Sequence, residues 1–197
     1  MPEPEPWSPQ AFEERYAGDA DPWSFATSPY ELARYDAILG ALRPEPHRYR
    51  LGYEPACSVG VLTERLAPRC NRLLATDVSP SAVAQAKERC GERDGLQIEV
   101  GSIQDGPGTD DPFDLVVFSE LGYYFDEEEL AAVVAGVRCL IGPGGDLVAC
   151  HWTGESPDHR LSGAVVHDVM TRTLASGAEQ VRSEVHDGFV LAAWRAT

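Results

Sequence analysis

A turn of small residues, Ala56-Cys57-Ser58-Val59-Gly60, follows an apolar stretch, and an acid, Asp77, ends the next one in Leu-Leu-Ala-Thr-Asp. Small residues let a backbone come close to a ligand. A carboxylate carries only acceptors and suits the paired hydroxyls of a ribose. Turn and acid together point to nucleotide chemistry. Ala56, Ser58 and Gly60 stand at the three places where a dinucleotide fold has glycine. Alanine and serine disfavour positive φ, which argues against a pyrophosphate and hence against a dehydrogenase. A nucleoside without phosphates, touching the turn with a sugar and an aliphatic chain, fits better. The competing role for Asp77 is to cap the helix that follows. Two more residues offer acid–base chemistry. Glu120 follows the apolar run Phe-Asp-Leu-Val-Val-Phe-Ser, and His151 lies in Leu-Val-Ala-Cys-His-Trp. Glu120 can hold a cationic amine and accept its proton, or cap a loop as a surface acid. His151, with an unperturbed pKa of about 6.5, can serve as the base or pack in the core beside Trp152.

These groups need a frame. After Pro46 the pattern alternates strand and helix: YRLGYEPA, VLTERLAPRC, NRLLATD, SPSAVAQAKERCG, LQIEVG, PFDLVVFSE, DEEELAAVVAGVRCLI, GGDLVACHW, then a helix within HRLSGAVVHDVMTRTLASG. Five such units predict a doubly wound α/β fold with a mostly parallel sheet of seven strands. Its last two strands are a closing hairpin, EQVRSEVHD and GFVLAAWRAT, one of them antiparallel. Ser79 caps the second helix of the series, with Pro80 in its first turn and Gly91 at its end. Residues 1–11, rich in proline, read as a loose tail ahead of one domain over 12–197. Within it, 12–46 holds a short helix FEERYAG, a loop, and an amphipathic helix YELARYDAILGAL. Ser28, Pro29 and Glu31 predict a capping box at that second helix. Strand ends carrying Glu120, His151 and the small-residue turn should share the ligand edge of the sheet.

Composition limits the partners. The 197 residues hold 32 acidic and 16 basic side chains, a formal charge of −16. Such a field repels phosphate backbones and anionic lipid, so nucleic acid and membrane are not expected partners and a neutral or cationic small molecule is. No apolar run approaches the roughly 20 residues of a membrane helix and no secretory pattern opens the chain, which reads as cytoplasmic. Five cysteines without a Cys-x-x-Cys pair predict reduced thiols. His151, His159 and His167 are eight apart, which is not a helical metal pair, so no metal is expected. No pattern stands out that would fix an oligomeric state.

Glu54-Pro-Ala-Cys-Ser-Val-Gly60, Asp77, Gly-Ser-Ile-Gln-Asp, Phe-Asp-Leu-Val-Val-Phe-Ser-Glu-Leu-Gly-Tyr-Tyr-Phe and Leu-Ile-Gly-Pro-Gly-Gly-Asp-Leu-Val, in this order, resemble the motifs of class I S-adenosylmethionine-dependent methyltransferases. Asp-Pro-Trp-Ser-Phe-Ala-Thr-Ser-Pro-Tyr-Glu-Leu-Ala-Arg-Tyr, Cys-Ser-Val-Gly-Val-Leu-Thr-Glu-Arg-Leu-Ala and Ser-Glu-Leu-Gly-Tyr-Tyr-Phe further resemble the nodulation N-methyltransferase (NodS-like) family. The resemblance implies S-adenosylmethionine as cofactor and methylation of an amine on an aminosugar. It implies that Glu54, Ala56, Cys57 and Gly60 line the methionine and sugar part, that Asp77 holds the ribose and Val78 flanks the adenine. Ser102, standing where relatives often have an acid, then Ile103, and Ser119 at the end of the fourth strand complete that side. Tyr123 and Tyr124 would meet the acceptor or else cover the next helix. Trp23, Tyr30 and Arg34 would form a lid, Arg34 pairing with the methionine carboxylate, unless that helix only packs on the core. Two alternatives stay open: methylation of a sugar or phenol hydroxyl, where His151 matters more, and a nucleotide-binding partner protein without catalysis.

Overall fold

The computed structural model describes residues 5–197. The chain order is α1 (Pro9–Gly18), α2 (Pro29–Ala41), β1 (Tyr49–Pro55), α3 (Val61–Leu66), β2 (Cys70–Asp77), α4 (Pro80–Cys90), β3 (Leu96–Val100), β4 (Phe113–Ser119), α5 (Glu127–Leu140), β5 (Ile141–Trp152), α6 (Gly163–Leu174), β6 (Ala178–Val185) and β7 (Phe189–Ala196). The strands form one seven-stranded sheet in the order β3-β2-β1-β4-β5-β7-β6. β7 is antiparallel to both β5 and β6, and the remaining pairs are parallel. The expected closing hairpin is therefore present. Among the described residues no helix is long and apolar enough to cross a membrane.

The near-continuous apolar run of β4 is explained by cover on both faces. Val116 and Phe118 pack towards α5 and α6, against Leu130, Val134 and Met170. Leu115 and Val117 face the other way, towards Tyr35 and Ile38 of α2 and Leu62 and Leu66 of α3. Local signals set the helix ends. Ser79 Oγ accepts the Ala82 amide at 3.1 Å, as expected. A reciprocal capping box forms at Asp126 and Glu129 on α5.

Three boundaries differ from expectation. The tail reading covers residues 1–11, of which 1–4 lie outside the described residues. Pro9 to Ala11 already belong to α1, with Ser8 Oγ accepting the Ala11 amide. The capping box expected at Ser28 does not form, because the Glu31 carboxylate turns to the guanidinium of Arg34 instead. β5 begins at Ile141, inside the expected helix, and runs through Gly-Pro-Gly-Gly. A register shift between the pairs Phe113–Ile141 and Leu115–Asp146 absorbs the extra residues.

One buried ion cluster ties the segment ahead of the sheet to its far end. Asp146 accepts from Arg43 at 2.7 Å, Arg195 at 2.9 Å and the Tyr49 hydroxyl at 2.9 Å. Burial would push this carboxyl up, but the three donors outweigh it and hold the pKa below its ordinary 3.8. A group lowered in the folded state stabilises above its unfolded pKa, and the contribution fades as pH falls through the lowered value. Asp146→Asn is expected to cost about 1–3 kcal/mol at neutral pH. The gap to the parent should close under acid, as urea titrations at several pH values would show.

Candidate active site

The strand order reverses between β1 and β4, so connections leave the sheet in opposite directions there and open a crevice beyond the strand ends. A cavity of about 610 Å³ occupies this place. The loops after β1, β2 and β3 form one half of its lining and those after β4 and β5 the other. α1 and the segment from Trp23 to Tyr35 close it from outside.

The small-residue turn keeps the shape that glycines usually give. Ala56, Ser58 and Gly60 all have positive φ, at 56°, 51° and 79°. For the first two this conformation costs about 1–2 kcal/mol each, so the surrounding bonds must hold it. The Ser58 amide donates to Asp77 Oδ2 at 2.9 Å, and the Ser79 amide to Oδ1 at 2.9 Å. Asp77 thus joins two loops rather than capping α4, a task Ser79 performs. Burial pushes the Asp77 carboxyl up and these amides oppose it. The carboxylate keeps lone-pair capacity beyond these amides. Asp77, Ala56, Cys57, Val78, Ser102 and Ile103 all line the cavity. Gly60 does not: a Cβ there would lie 2.9 Å from the Ala86 backbone, so this glycine serves the close approach of α3 to α4.

Glu54 lines the same half and is 3% exposed. Its Oε2 has no hydrogen-bond partner, nor has the Oγ1 of nearby Thr63. Burial raises the Glu54 pKa to about 8. A buried carboxyl oxygen without a partner is costly unless a donor or cation meets it.

The other half centres on Glu120, held at φ 55° where β4 ends. Its Oε1 accepts the Trp152 amide at 2.7 Å and lies 3.2 Å from the Arg34 guanidinium, and its Oε2 accepts the Tyr123 hydroxyl at 2.8 Å. Burial raises its pKa, and Arg34 is the main opposing influence. Arg34 is 1% exposed and also donates to Glu31 and, at 3.2 Å, to the Ser119 hydroxyl. The expected role of Arg34, gripping a ligand carboxylate, therefore meets prior claims from two glutamates. Trp23 stacks on Phe25 with ring centres 5.7 Å apart, and the Tyr30 hydroxyl donates to the Gly188 carbonyl at 2.9 Å. Ser119, Tyr123, Tyr124, Trp23 and Tyr30 line the cavity.

His151 departs from expectation. It is fully buried, is absent from the lining, accepts the Gly122 amide at Nε2 (3.0 Å) and meets His167 at Nδ1 (3.1 Å). Burial, with His167 nearby, depresses its pKa well below the usual value. A neutral ring with both nitrogens engaged holds the turn after β4 and is not available as a base. Its position one residue before the end of a strand whose side chains alternate decides this: Trp152 faces the cavity and His151 the core. The cavity instead receives His159, which stacks on Tyr123 at 3.7 Å between centroids. The short helix FEERYAG is present as part of α1, but two of its residues, Glu13 and Tyr16, are not among the expected site residues. Its Tyr16 hydroxyl donates to Ser58 Oγ at 2.6 Å, and Glu13 accepts from the Ser79 and Ser81 hydroxyls at 2.5 and 2.6 Å. Glu13 and Tyr16 lie three apart, on one helical face, a spacing that could have drawn attention to them. Ala56→Gly relieves a left-handed alanine, so it should raise stability by about 1 kcal/mol. A lower urea midpoint than the parent's would contradict this account of the turn.

Residues 10–155 match the family of nodulation protein S (NodS). Nodulation protein S of Rhizobium tropici is 33% identical over 65% of this chain and 53% of that protein. That of Bradyrhizobium diazoefficiens is 33% identical over 71% of this chain and 66% of its own length. The chain thus spans about half to two thirds of these relatives. The solved N-methyltransferase NodS from Bradyrhizobium japonicum WM9, in complex with S-adenosyl-L-homocysteine, superposes with a TM-score of 0.80 at 26% identity, over 95% of this chain and 97% of that one. With its sheet order and this match over most of its length, the chain belongs to the nodulation protein S family and has the Rossmann-like methyltransferase fold.

Proposed function

We propose that this protein is an S-adenosylmethionine-dependent methyltransferase that acts on the nitrogen of a small cationic amine, such as the amino group of an aminosugar. The observation that carries the reading is the unpartnered Oε2 of Glu54 inside a cavity whose lining holds five carboxyl groups, Glu31, Glu54, Asp77, Glu120 and Glu129, against the guanidiniums of Arg34 and Arg160. Such a cavity favours cations, and both the cofactor and an ammonium acceptor carry positive charge.

The residues fit the cofactor. Glu54 offers an acceptor for an ammonium, Asp77 has free lone pairs for ribose hydroxyls, and Val78 and Ile103 give an apolar seat for a base. S-adenosylmethionine supplies an electrophilic methyl group on a sulfonium. The work left to the protein is positioning, which contributes up to roughly 7–11 kcal/mol in favourable cases. Glu120, fixed by Arg34, Tyr123 and the Trp152 amide, presents its carboxylate to the acceptor half, where it draws in an ammonium and takes up its proton. Tyr123 and Tyr124 shape that half, Arg34 holds Glu120 and Ser119 in place, and Trp23 with Phe25 excludes water.

S-adenosyl-L-homocysteine should bind in calorimetric titration, and no heat at millimolar ligand would end the reading. Glu54 must lose a proton to pair with the ligand ammonium. Binding near pH 7 should therefore release a proton, and affinity should fall as pH drops below about 8. Titrations in buffers of different ionisation enthalpy measure this, and Glu54→Gln should abolish the release. Asp77→Ala should weaken binding by about 1–3 kcal/mol. Glu120→Gln should slow methyl transfer to an amine about 10²- to 10⁴-fold while leaving the affinity for S-adenosyl-L-homocysteine near the parent's.

A further inference from the structure

The turn after β4 carries Glu120 and Tyr123 into the acceptor half, yet it is held from behind by two histidines that do not line the cavity. Gly122 lies close against α6: a Cβ there would stand 2.4 Å from Val166 Cγ1 and 3.1 Å from His151 Nε2. α6 is itself seated on the end of β5, where a Cβ on Gly163 would stand 2.2 Å from the Trp152 carbonyl oxygen. Within this tight packing the Gly122 amide donates to His151 Nε2 at 3.0 Å. An amide only donates, so Nε2 presents a lone pair. Burial keeps His151 neutral, and a neutral ring with a bare Nε2 carries its proton on Nδ1. That Nδ1 lies 3.1 Å from His167 Nε2 on α6. His167 must accept there, and burial, which lowers its pKa to about 4, leaves it free to do so at neutral pH. The two bonds form one directed chain, from the Gly122 amide to His151 and from His151 to His167.

We propose that His167 is a positioning residue for methyl transfer: by accepting the His151 Nδ1 proton it fixes the tautomer that holds Gly122, and so keeps Glu120 and Tyr123 aligned towards the acceptor. The inference rests on the role of Glu120 proposed above. Without His167 the Nδ1 proton would be a buried donor lacking this partner, which is costly. Moving the proton to Nε2 would set two donors against each other at the 3.0 Å contact with the Gly122 amide. Either outcome loosens the turn whose next residue, Tyr123, donates to Glu120 Oε2 at 2.8 Å. The cofactor half is held by other contacts, those of Asp77 with the Ser58 and Ser79 amides, and stays as it is.

Two variants of the full chain test this. His167→Gln keeps an oxygen that can accept the His151 proton, and His167→Leu keeps apolar volume without an acceptor. Imidazole nitrogen NMR spectra of the histidine-labelled protein read where each proton sits. Near neutral pH the parent is expected to show His151 and His167 neutral with the proton on Nδ1. His151 should keep that form in His167→Gln and lose it in His167→Leu. With S-adenosylmethionine and D-glucosamine as the amine probe, His167→Leu should lower kcat about 3- to 10-fold, the worth of one net hydrogen bond. His167→Gln should regain most of the loss, and Kd for S-adenosyl-L-homocysteine should match the parent's in both. A His151 proton on Nε2 in the parent, an unchanged His151 tautomer or a parent-like kcat in His167→Leu, or an equal loss of kcat in His167→Gln would each overturn the proposal. Should His167→Leu fail to fold, the parent spectrum and His167→Gln still decide. A parent with the expected tautomers that does not methylate D-glucosamine would strike the function proposed above and support the histidine chain alone.

Discussion

The buried carboxylate of Asp77 is the contact on which the ligand edge depends. It draws the Ser58 amide from one loop and the Ser79 amide from the next. A charge-assisted bond to a backbone amide is about twice as strong as a neutral one. Two of them counter the strain of left-handed Ala56 and Ser58, which neither side chain would choose alone. The cost of burying Asp77 is accepted because the amides already meet it, and its other lone pairs stay turned to the cavity.

A second constraint acts across the sheet. Arg34 is sunk between Glu31, Glu120 and Ser119, three groups from two separate stretches of chain. A guanidinium with fixed, planar donors suits this junction better than an ammonium would. It also leaves the cluster one negative charge in excess when both glutamates are ionised. That excess, together with Asp77 and with Glu54 once it gives up its proton, makes the cavity a local version of the chain's overall −16. Net acidity and site chemistry thus agree in sign, and the arrangement favours a cationic guest over a phosphate.

The segment ahead of the sheet is part of the site. α1 meets the turn at Ser58, the α4 terminus at Ser79 and Ser81, and the β5 loop at Asp158. α2 supplies Arg34, and Arg43, just beyond its end, anchors to Asp146. The cavity therefore has a floor made by the sheet and a roof made by residues 5–41, joined by polar bonds that can be broken singly.

The sequence by itself determined the sheet and its helices, because period-two and helical apolar patterns, proline, glycine and serine caps act over a few residues. It also placed Asp77, Glu120 and most of the cavity lining at strand ends, since strand ends on one edge converge in any doubly wound sheet. It marked Ser28 for a cap that Arg34 prevents, and it placed Ile141 in a helix, where pairing with Phe113 makes it strand. Only the tertiary structure decided that His151 points into the core while Trp152 and His159 meet the cavity. Only there does Ser58 gain Tyr16 as a partner and Arg34 two glutamates. Each of these outcomes depends on side chains from segments far apart in the chain. Their meeting is set by packing and by where a pleat turns a residue, which a one-dimensional pattern of residue types does not encode.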